Sequence, residues 1–291
     1  MREAFVHALT DTAGMIPFLL VIYALVEWLE TRVGDSVQAT ILRAGKAGPA
    51  AGAVLGCIPQ CGFSVMAGSL YARRLITTGS LLAVYLSTSD EAVPVILAQP
   101  GKTGLVVPLL VTKVLVALVA GYGVDLALRS SLRPAAEAVP DGRAEEHQVG
   151  CCDHHVSGDV PLRERLLHPL IHTAKVLVFV FVVTLCINTI IWRVGQANLG
   201  PLLLQHSVLQ PIVTGVVGLI PNCAASVAIT QVFLSGGISF GSALSGLCSA
   251  SGLGLLVLVR ENRSHKDTAR VLALLLGISI AVGIIAQSVY G

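Results

Sequence analysis

Long apolar stretches separated by short polar turns run along almost the whole chain. A membrane-spanning helix needs about 20 predominantly apolar residues. Six stretches are near or above that length and predict spans: 13–31, 79–98, 104–128, 169–192, 241–259 and 269–289. Shorter stretches form two neighbouring pairs, with a proline between the members of each pair: 47–58 with 62–72, and 208–221 with 224–234. Each pair predicts a helical hairpin that enters the membrane and returns.

The composition agrees with this pattern. Hydrophobic residues make up 54% of the 291 residues and charged residues only 12%, whereas soluble domains carry about 25% charged residues. The chain is therefore expected to be an all-α polytopic membrane protein. The basic residues lie in a few loops and the net charge is +2, so we expect the lipid bilayer as a partner and no nucleic acid.

The two sets of five stretches match each other in sequence. Residues 56–91 align with 218–253 without a gap and share 12 of 36 residues, including a proline, a cysteine and four serines. Residues 7–34 align with 168–195 and share nine residues. We predict a first transmembrane repeat (1–128), a loop (129–165) and a second transmembrane repeat (166–291), each repeat with three spans and one Pro-broken hairpin. An odd number of crossings gives the two copies opposite topology, which is the inverted-repeat architecture of secondary transporters.

Orientation follows from lysine and arginine, which accumulate in cytoplasmic loops. The 129–165 segment carries five arginines: Arg129, Arg133, Arg143, Arg163 and Arg165. This segment is expected to be cytoplasmic, in a multi-pass membrane protein.

The hairpin tips read GCIPQCGFS (56–64) and GLIPNCAAS (218–226). Pro59 and Pro221 end the first arms, because proline lacks a backbone donor and clashes with the preceding turn. The freed backbone groups must face protein, water or substrate. Tip side chains that could bind an ion follow: Gln60, Cys61, Ser64, Asn222, Cys223 and Ser226, with Cys57 in a supporting role. The alternative is a kink in a packed helix.

A second polar segment, LSTSDEAVP (86–94), lies inside the predicted span 79–98. Asp90 and Glu91 are expected to face a cavity or a partner, because a carboxylate at the bilayer centre costs at least about 2.5–3.5 kcal/mol. The second repeat has the uncharged CSASGLG (248–254) there, which favours one cation site. We expect Asp90, Glu91, Cys61 and Cys223 to bind the transported metal, with Ser87 and Ser89 supporting. The alternative is a structural ion pair between Lys113 and Asp90 or Glu91.

The central loop contains HQVGCCDHHVSGD (147–159), which concentrates sulfur and imidazole donors. Cys151, Cys152, His154 and His155 are expected to capture metal or to regulate transport. Their spacing differs from that of a closed zinc knuckle, and the alternative is a linker whose Cys and His are incidental.

These features resemble one family. The paired GxIPxC breaks, the TSDEA segment (88–92) and the His- and Cys-bearing loop are similar to the heavy-metal exporters distantly related to the arsenic permeases, whose members are labelled manganese transporters or arsenic efflux proteins. The resemblance runs from about residue 10 to 289. It implies ten spans and export of a heavy-metal or metalloid ion across the cell inner (plasma) membrane. In the related arsenic permeases a Cys-Ser-Cys cluster is central, whereas Cys57 and Cys61 here flank Pro59.

The sequence thus predicts a secondary-active exporter of a divalent heavy-metal cation, manganese or similar, in which Asp90 binds the ion and Glu91 binds it or carries a proton. We expect no catalytic residues and no cofactor beyond the transported ion, and the sequence leaves a homodimer open. An arsenite, metalloid or anion permease is the alternative. A membrane thiol oxidoreductase with Cys57 and Cys61 as its redox pair is a more remote one.

Overall fold

The computed structural model describes residues 45–58, 61–88, 92–99, 101–128, 207–221 and 223–290, and a few single helical positions elsewhere. These residues are helices and short turns. The predicted spans 13–31 and 169–192, apart from single positions, and the predicted loop 129–165 lie outside them.

Five α-helices of the first half are described. They are α1 (Gly48–Leu55), α2 (Cys61–Ala72), α3 (Thr78–Ser87), α4 (Ala92–Leu97) and α5 (Val106–Leu128). Short 3-10 turns, Gly45–Ala47 and Thr103–Leu105, precede α1 and α5.

Five α-helices of the second half follow the same order. They are α6 (Leu209–Gly218), α7 (Cys223–Leu234), α8 (Phe240–Ser249), α9 (Leu253–Glu261) and α10 (His265–Tyr290). The predicted arms of both hairpins agree with α1, α2, α6 and α7 to within a few residues.

Helical stretches long enough to cross a membrane lie at the two spans predicted at 79–98 and 241–259, and the regular helix of each is interrupted. In the first half, α3 ends at Ser87 and Thr88 has φ −54° and ψ 128°, outside the helical region. In the second half, α8 ends at Ser249 and Gly252 has φ +53°, a conformation that favours glycine. Hydroxyl groups at both ends bind nearby carbonyl oxygens: Thr88 Oγ1 donates to Val84 O at 2.7 Å and Ser249 Oγ to Gly246 O at 2.9 Å. Such side-chain bonds compete with regular helix.

Four helical stretches in the described ranges are long and apolar enough to cross a membrane. The two interrupted ones, 78–97 and 240–261, are 93% and 83% buried, whereas those of α5 and α10 are only 28% buried. The exposed side of α5 carries an apolar stripe that includes Val107, Val111, Leu115, Val119 and Leu126. The interrupted spans therefore form the interior, and α5 and α10 present apolar surface suited to lipid.

The sequence match between the halves extends to helix packing. α1 packs on α3 and α5, and α6 packs in the same way on α8 and α10. An added Cβ at Gly79 would overlap Gly121 and Asp125, and one at Gly241 would overlap Gly283 and Gln287. Gly241, Gly283 and Gln287 are the counterparts of Gly79, Gly121 and Asp125. The separation along the chain is the same in each pair as between Gly56 and Gly218. The same small residues therefore permit the same close helix approaches in both halves.

The second hairpin arms cross over between the halves. α2 packs on α9 of the second half, and α7 packs on α4 of the first. At one end of the bundle, Asp267 at the start of α10 binds Arg74 at 2.8 Å and accepts a hydrogen bond from Tyr71 at the end of α2. Lys102, after α4, donates to the carbonyl of Leu234 at the end of α7. Polar contacts thus tie the end of each crossing arm to the opposite half.

Candidate ion-binding site

Both hairpin tips break where the proline motifs predict. α1 ends at Leu55 and α2 begins at Cys61, while α6 ends at Gly218 and α7 begins at Cys223. Tight turns close the first arms: Ile58 N donates to Leu55 O at 3.2 Å, and Ile220 N to Val217 O at 3.1 Å. The first turns of α2 and α7 therefore begin at the tips, and their amide groups lie there.

Several predicted site residues lie outside the described residues and stay predictions. They are Pro59, Gln60, Ser89, Asp90, Glu91 and Asn222 at the tips and the first interruption, and Cys151, Cys152, His154 and His155 in the loop. For Cys61 and Cys223 the backbone is described and the side chain is not. In the part of the chain that the structure describes, no three His, Cys, Asp or Glu side chains lie close enough together to hold a metal ion.

The predicted tip serines, Ser64 and Ser226, are buried in the first turns of α2 and α7. An added Cβ at Gly254, just after the second interruption, would lie 2.5 Å from the Ser64 carbonyl oxygen. The carbonyl of Gly254 also accepts a hydrogen bond from the Tyr85 hydroxyl at 2.8 Å. The start of α2 therefore lies against the start of α9, so the structure brings the first hairpin tip to the second interruption. Pro221 at the second tip is exposed.

Ser87 and Ser249, at the ends of α3 and α8, hold the first hairpin arms in place. Both are fully buried. Ser87 Oγ donates to Ala83 O at 2.8 Å and contacts Gly52 O at 3.4 Å, and Ser249 Oγ donates to Gly215 O at 2.8 Å. Their hydroxyl groups therefore join α3 to α1 and α8 to α6. This is a packing role, whereas the sequence predicted for Ser87 a supporting role at the ion site.

Lys113 on α5 is a charged residue that contacts both interrupted spans. It is 0% exposed. Its Nζ donates to the carbonyl oxygen of Thr88 and, at 2.9 Å, to that of Leu247. One ammonium group therefore connects the two interrupted spans, one from each half.

Sequence reasoning considered Lys113 only as an ion-pair partner of the acids and did not identify its contacts with the second half. The signal for the interruptions was present in the matched Ser-x-Ser pairs, 87–89 and 249–251, and in Gly252. The sequence signal for the importance of Lys113 was the residue at the matched position of the second half, which is Leu275 on α10. A lysine that replaces a leucine in a matched span indicates a role that packing alone does not require.

The arrangement suits a cation. Carbonyl groups at the ends of α3 and α8 face the same point, and the carbonyl end of a helix carries partial negative charge. In transporters with discontinuous helices, such ends coordinate the transported or coupling cation.

The chain is similar in sequence to a known protein family. The model of a family described as "Putative, 10TM heavy-metal exporter" matches residues 1–168. That range includes the first hairpin, the TSDEA segment, Lys113 and the His- and Cys-bearing loop. No curated protein and no solved structure matches the chain.

Proposed function

This chain belongs to the 10TM heavy-metal exporter family, and we propose from that membership that it exports a divalent heavy-metal cation, manganese or similar, by secondary transport. The observation that carries the proposal is the convergence of two interrupted, buried spans on one point, where the carbonyls of Thr88 and Leu247 meet the ammonium of Lys113. Interrupted helices that meet inside a bundle are the common construction of transport sites.

The donor set favours a divalent cation of the manganese type. Asp90 and Glu91 follow Thr88 directly in the sequence. Carboxylate, carbonyl and amide oxygens suit manganese, whereas thiolates suit softer metals. In the proposed site Asp90 is a direct ligand and Glu91 a second ligand or the proton carrier. Side chains from the tips, Gln60, Cys61, Asn222 and Cys223, complete the site.

Alternating access follows from the crossed packing. In the proposed mechanism the two repeats have opposite orientations, and each second hairpin arm packs on the opposite half, α2 on α9 and α7 on α4. A relative movement of the halves then opens one tip while it closes the other. The Arg74–Asp267 ion pair, with an N–O distance of 2.8 Å, is among the contacts that such a movement would break.

The membrane and the loop complete the proposal. We propose that the exporter lies in the inner membrane. The loop 129–165 is proposed to be cytoplasmic because that segment carries five arginines. Cys151, Cys152, His154 and His155 then deliver metal from the side where export begins.

The test is metal tolerance in cells that carry Asp90→Asn. A strain without its own exporters is grown on manganese, zinc, cobalt, cadmium and arsenite, with membrane protein levels measured in parallel. Asp90→Asn should abolish tolerance to the transported cation without reducing the amount of protein. Glu261→Gln, which neutralises an exposed carboxylate at the end of α9, is the matched control and should keep tolerance. Full tolerance with Asp90→Asn would remove Asp90 from the site.

A metalloid or anion permease is the second candidate, and the hairpins favour it. α2 begins at Cys61 and α7 at Cys223, so the positive ends of both helices lie at the tips, and such ends bind anions. A permease of this kind should tolerate Asp90→Asn and lose arsenite tolerance in Cys61→Ser and Cys223→Ser. A cation exporter should be most sensitive to Asp90→Asn.

A further inference from the structure

Lys113 is buried where the carbonyl ends of two helices from opposite halves meet. α3 ends at Ser87 and α8 ends at Ser249. The last carbonyl groups of a helix lack partners within that helix. Thr88 O and Leu247 O belong to these ends, and both accept hydrogen bonds from the Lys113 ammonium group. The lysine thus supplies donors to a backbone that would otherwise need another cation or water.

This position has the properties of a cation site. Both helices direct the negative ends of their dipoles toward it, and the acceptors are neutral backbone oxygens of the kind that coordinate cations at half-helix ends. The group that occupies it in the structure is itself a cation, tethered to α5 by the lysine side chain.

The helix packing that is common to both halves accepts a neutral residue at this place. Leu275 holds the matched position on α10 and is fully buried, as Lys113 is on α5. A buried ammonium group within a membrane is energetically costly. The packing that the two halves share therefore does not account for a lysine at this position.

We propose that Lys113 is a tethered competitor of the transported ion. Its ammonium group fills the carbonyl position between the two helix ends while no metal ion is bound, and an arriving divalent cation displaces it. The ammonium group returns when the ion leaves, so it lowers the affinity of the site and drives release on the far side. This inference rests on the proposed function, because it assumes that the transported species is a cation.

The displacement follows from charge and needs no covalent step. A divalent ion and an ammonium group a few ångströms apart repel each other strongly in a site of low dielectric constant. They cannot both use the carbonyls of Thr88 and Leu247. The ammonium group either occupies those acceptors or leaves them to the ion.

The experiment measures binding and transport separately on the full chain. Equilibrium binding of Mn²⁺, Zn²⁺, Co²⁺ and Cd²⁺ is measured on purified protein, and flux of the ion that binds most tightly is measured in proteoliposomes. Lys113→Gln removes the charge and keeps N–H donors for the two carbonyls. Lys113→Arg keeps the charge. Lys102→Gln, at a lysine that donates to the carbonyl of Leu234, is the matched control.

Lys113→Gln should bind the ion about tenfold or more tightly, because the repulsive charge is gone, and its turnover should fall because release is slow. Lys113→Arg and Lys102→Gln should keep affinities close to that of the unsubstituted protein. A purely structural role would lower the amount of folded protein and weaken binding, and it would not tighten it. Should Lys113→Gln fail to fold, Lys113→Leu gives the same test with the residue of the matched position.

Two failures are distinguishable. If the unsubstituted protein binds none of the four cations, the proposed function is overturned and this inference with it. If it binds one of them and neither neutral variant binds that ion more tightly, the inference alone is overturned.

Discussion

The two halves of the molecule share their packing and differ in their chemistry. Gly56 lies against Ser87 in the first half as Gly218 lies against Ser249 in the second. Thr77 caps α3 and Ser239 caps α8, each by accepting the amide of the third residue after it. Small residues and helix caps, which set how closely the helices approach and where they begin, are therefore common to both halves.

The charged groups proposed for the ion site belong to the first half. The counterparts of Asp90, Glu91 and Lys113 are Gly252, Leu253 and Leu275. The helical unit can therefore be built with or without charges at its interruption. The residues that the two halves share therefore determine how the helices pack. The groups that would select and release an ion occur in the first half.

Exchanging the residues at the matched positions on α5 and α10, Lys113 and Leu275, should have the largest effect on stability. Leu275→Lys would bury a charge in a site that holds a fully buried leucine, and a lysine inside a membrane span costs at least about 2.5–3.5 kcal/mol. Lys113→Leu removes such a charge and should be milder. Thermal unfolding of the purified variants checks this; equal losses from the two substitutions would contradict a functional origin of the asymmetry.

Substitutions at the shared glycines should destabilise both halves alike. An alanine Cβ at Gly56 would overlap the Ser87 hydroxyl, and one at Gly218 would overlap Ser249. Overpacking of this kind costs about 1–3 kcal/mol. Gly123→Ala and Gly277→Ala on the lipid-facing helices have no atom within 4 Å of the new Cβ and serve as controls. The free energy of unfolding is measured for each variant. A loss in only one of Gly56→Ala and Gly218→Ala would show that the packing match between the halves is incomplete.

Asp125 and Gln287 lie against the starts of α3 and α8. Removing their side chains should destabilise the protein by different amounts, and this difference should be smaller than the effects above. Asp125 accepts hydrogen bonds from Thr77 Oγ1 at 2.6 Å and from Gly79 N at 2.8 Å. Its counterpart Gln287 has a buried Oε1 with no hydrogen-bond partner among the described residues, and Gln210 binds Ser242 Oγ at 2.8 Å instead.

Asp125→Ala should therefore cost about 1–2 kcal/mol, as loss of a cap does, whereas Gln287→Ala should cost less than about 0.5 kcal/mol. Unfolding of the two variants side by side measures the difference. A larger loss from Gln287→Ala would mean that the second half depends on a contact outside the ones described.

The hairpins could be predicted from the sequence because their causes are local. Pro59 and Pro221 end a helix wherever they occur in its interior, and arms of 11–14 residues are too short to cross. The repeat could be predicted because it leaves identical residues at a constant spacing. The observed starts of α2 and α7 at Cys61 and Cys223 accordingly agree with the predicted tips.

The interruptions and the place of Lys113 could not be predicted in the same way. Serine and threonine occur inside many helices, and their competition with the backbone at Ser87 and Thr88 depends on which carbonyls are nearby. Lys113 contacts Leu247, 134 positions away in the sequence. No local pattern contains that contact, because it arises from the packing of one half on the other.

The stoichiometry of bound manganese tests the central claim most directly, namely that the two matched halves share one ion site whose charged groups come from the first half alone. Mn²⁺, which prefers oxygen ligands over the loop's thiols and imidazoles, is titrated into the purified full-length protein and followed by electron paramagnetic resonance. The account predicts one tightly bound ion per chain, which is lost in Asp90→Asn. Two ions per chain, or one ion that remains in Asp90→Asn, would contradict it.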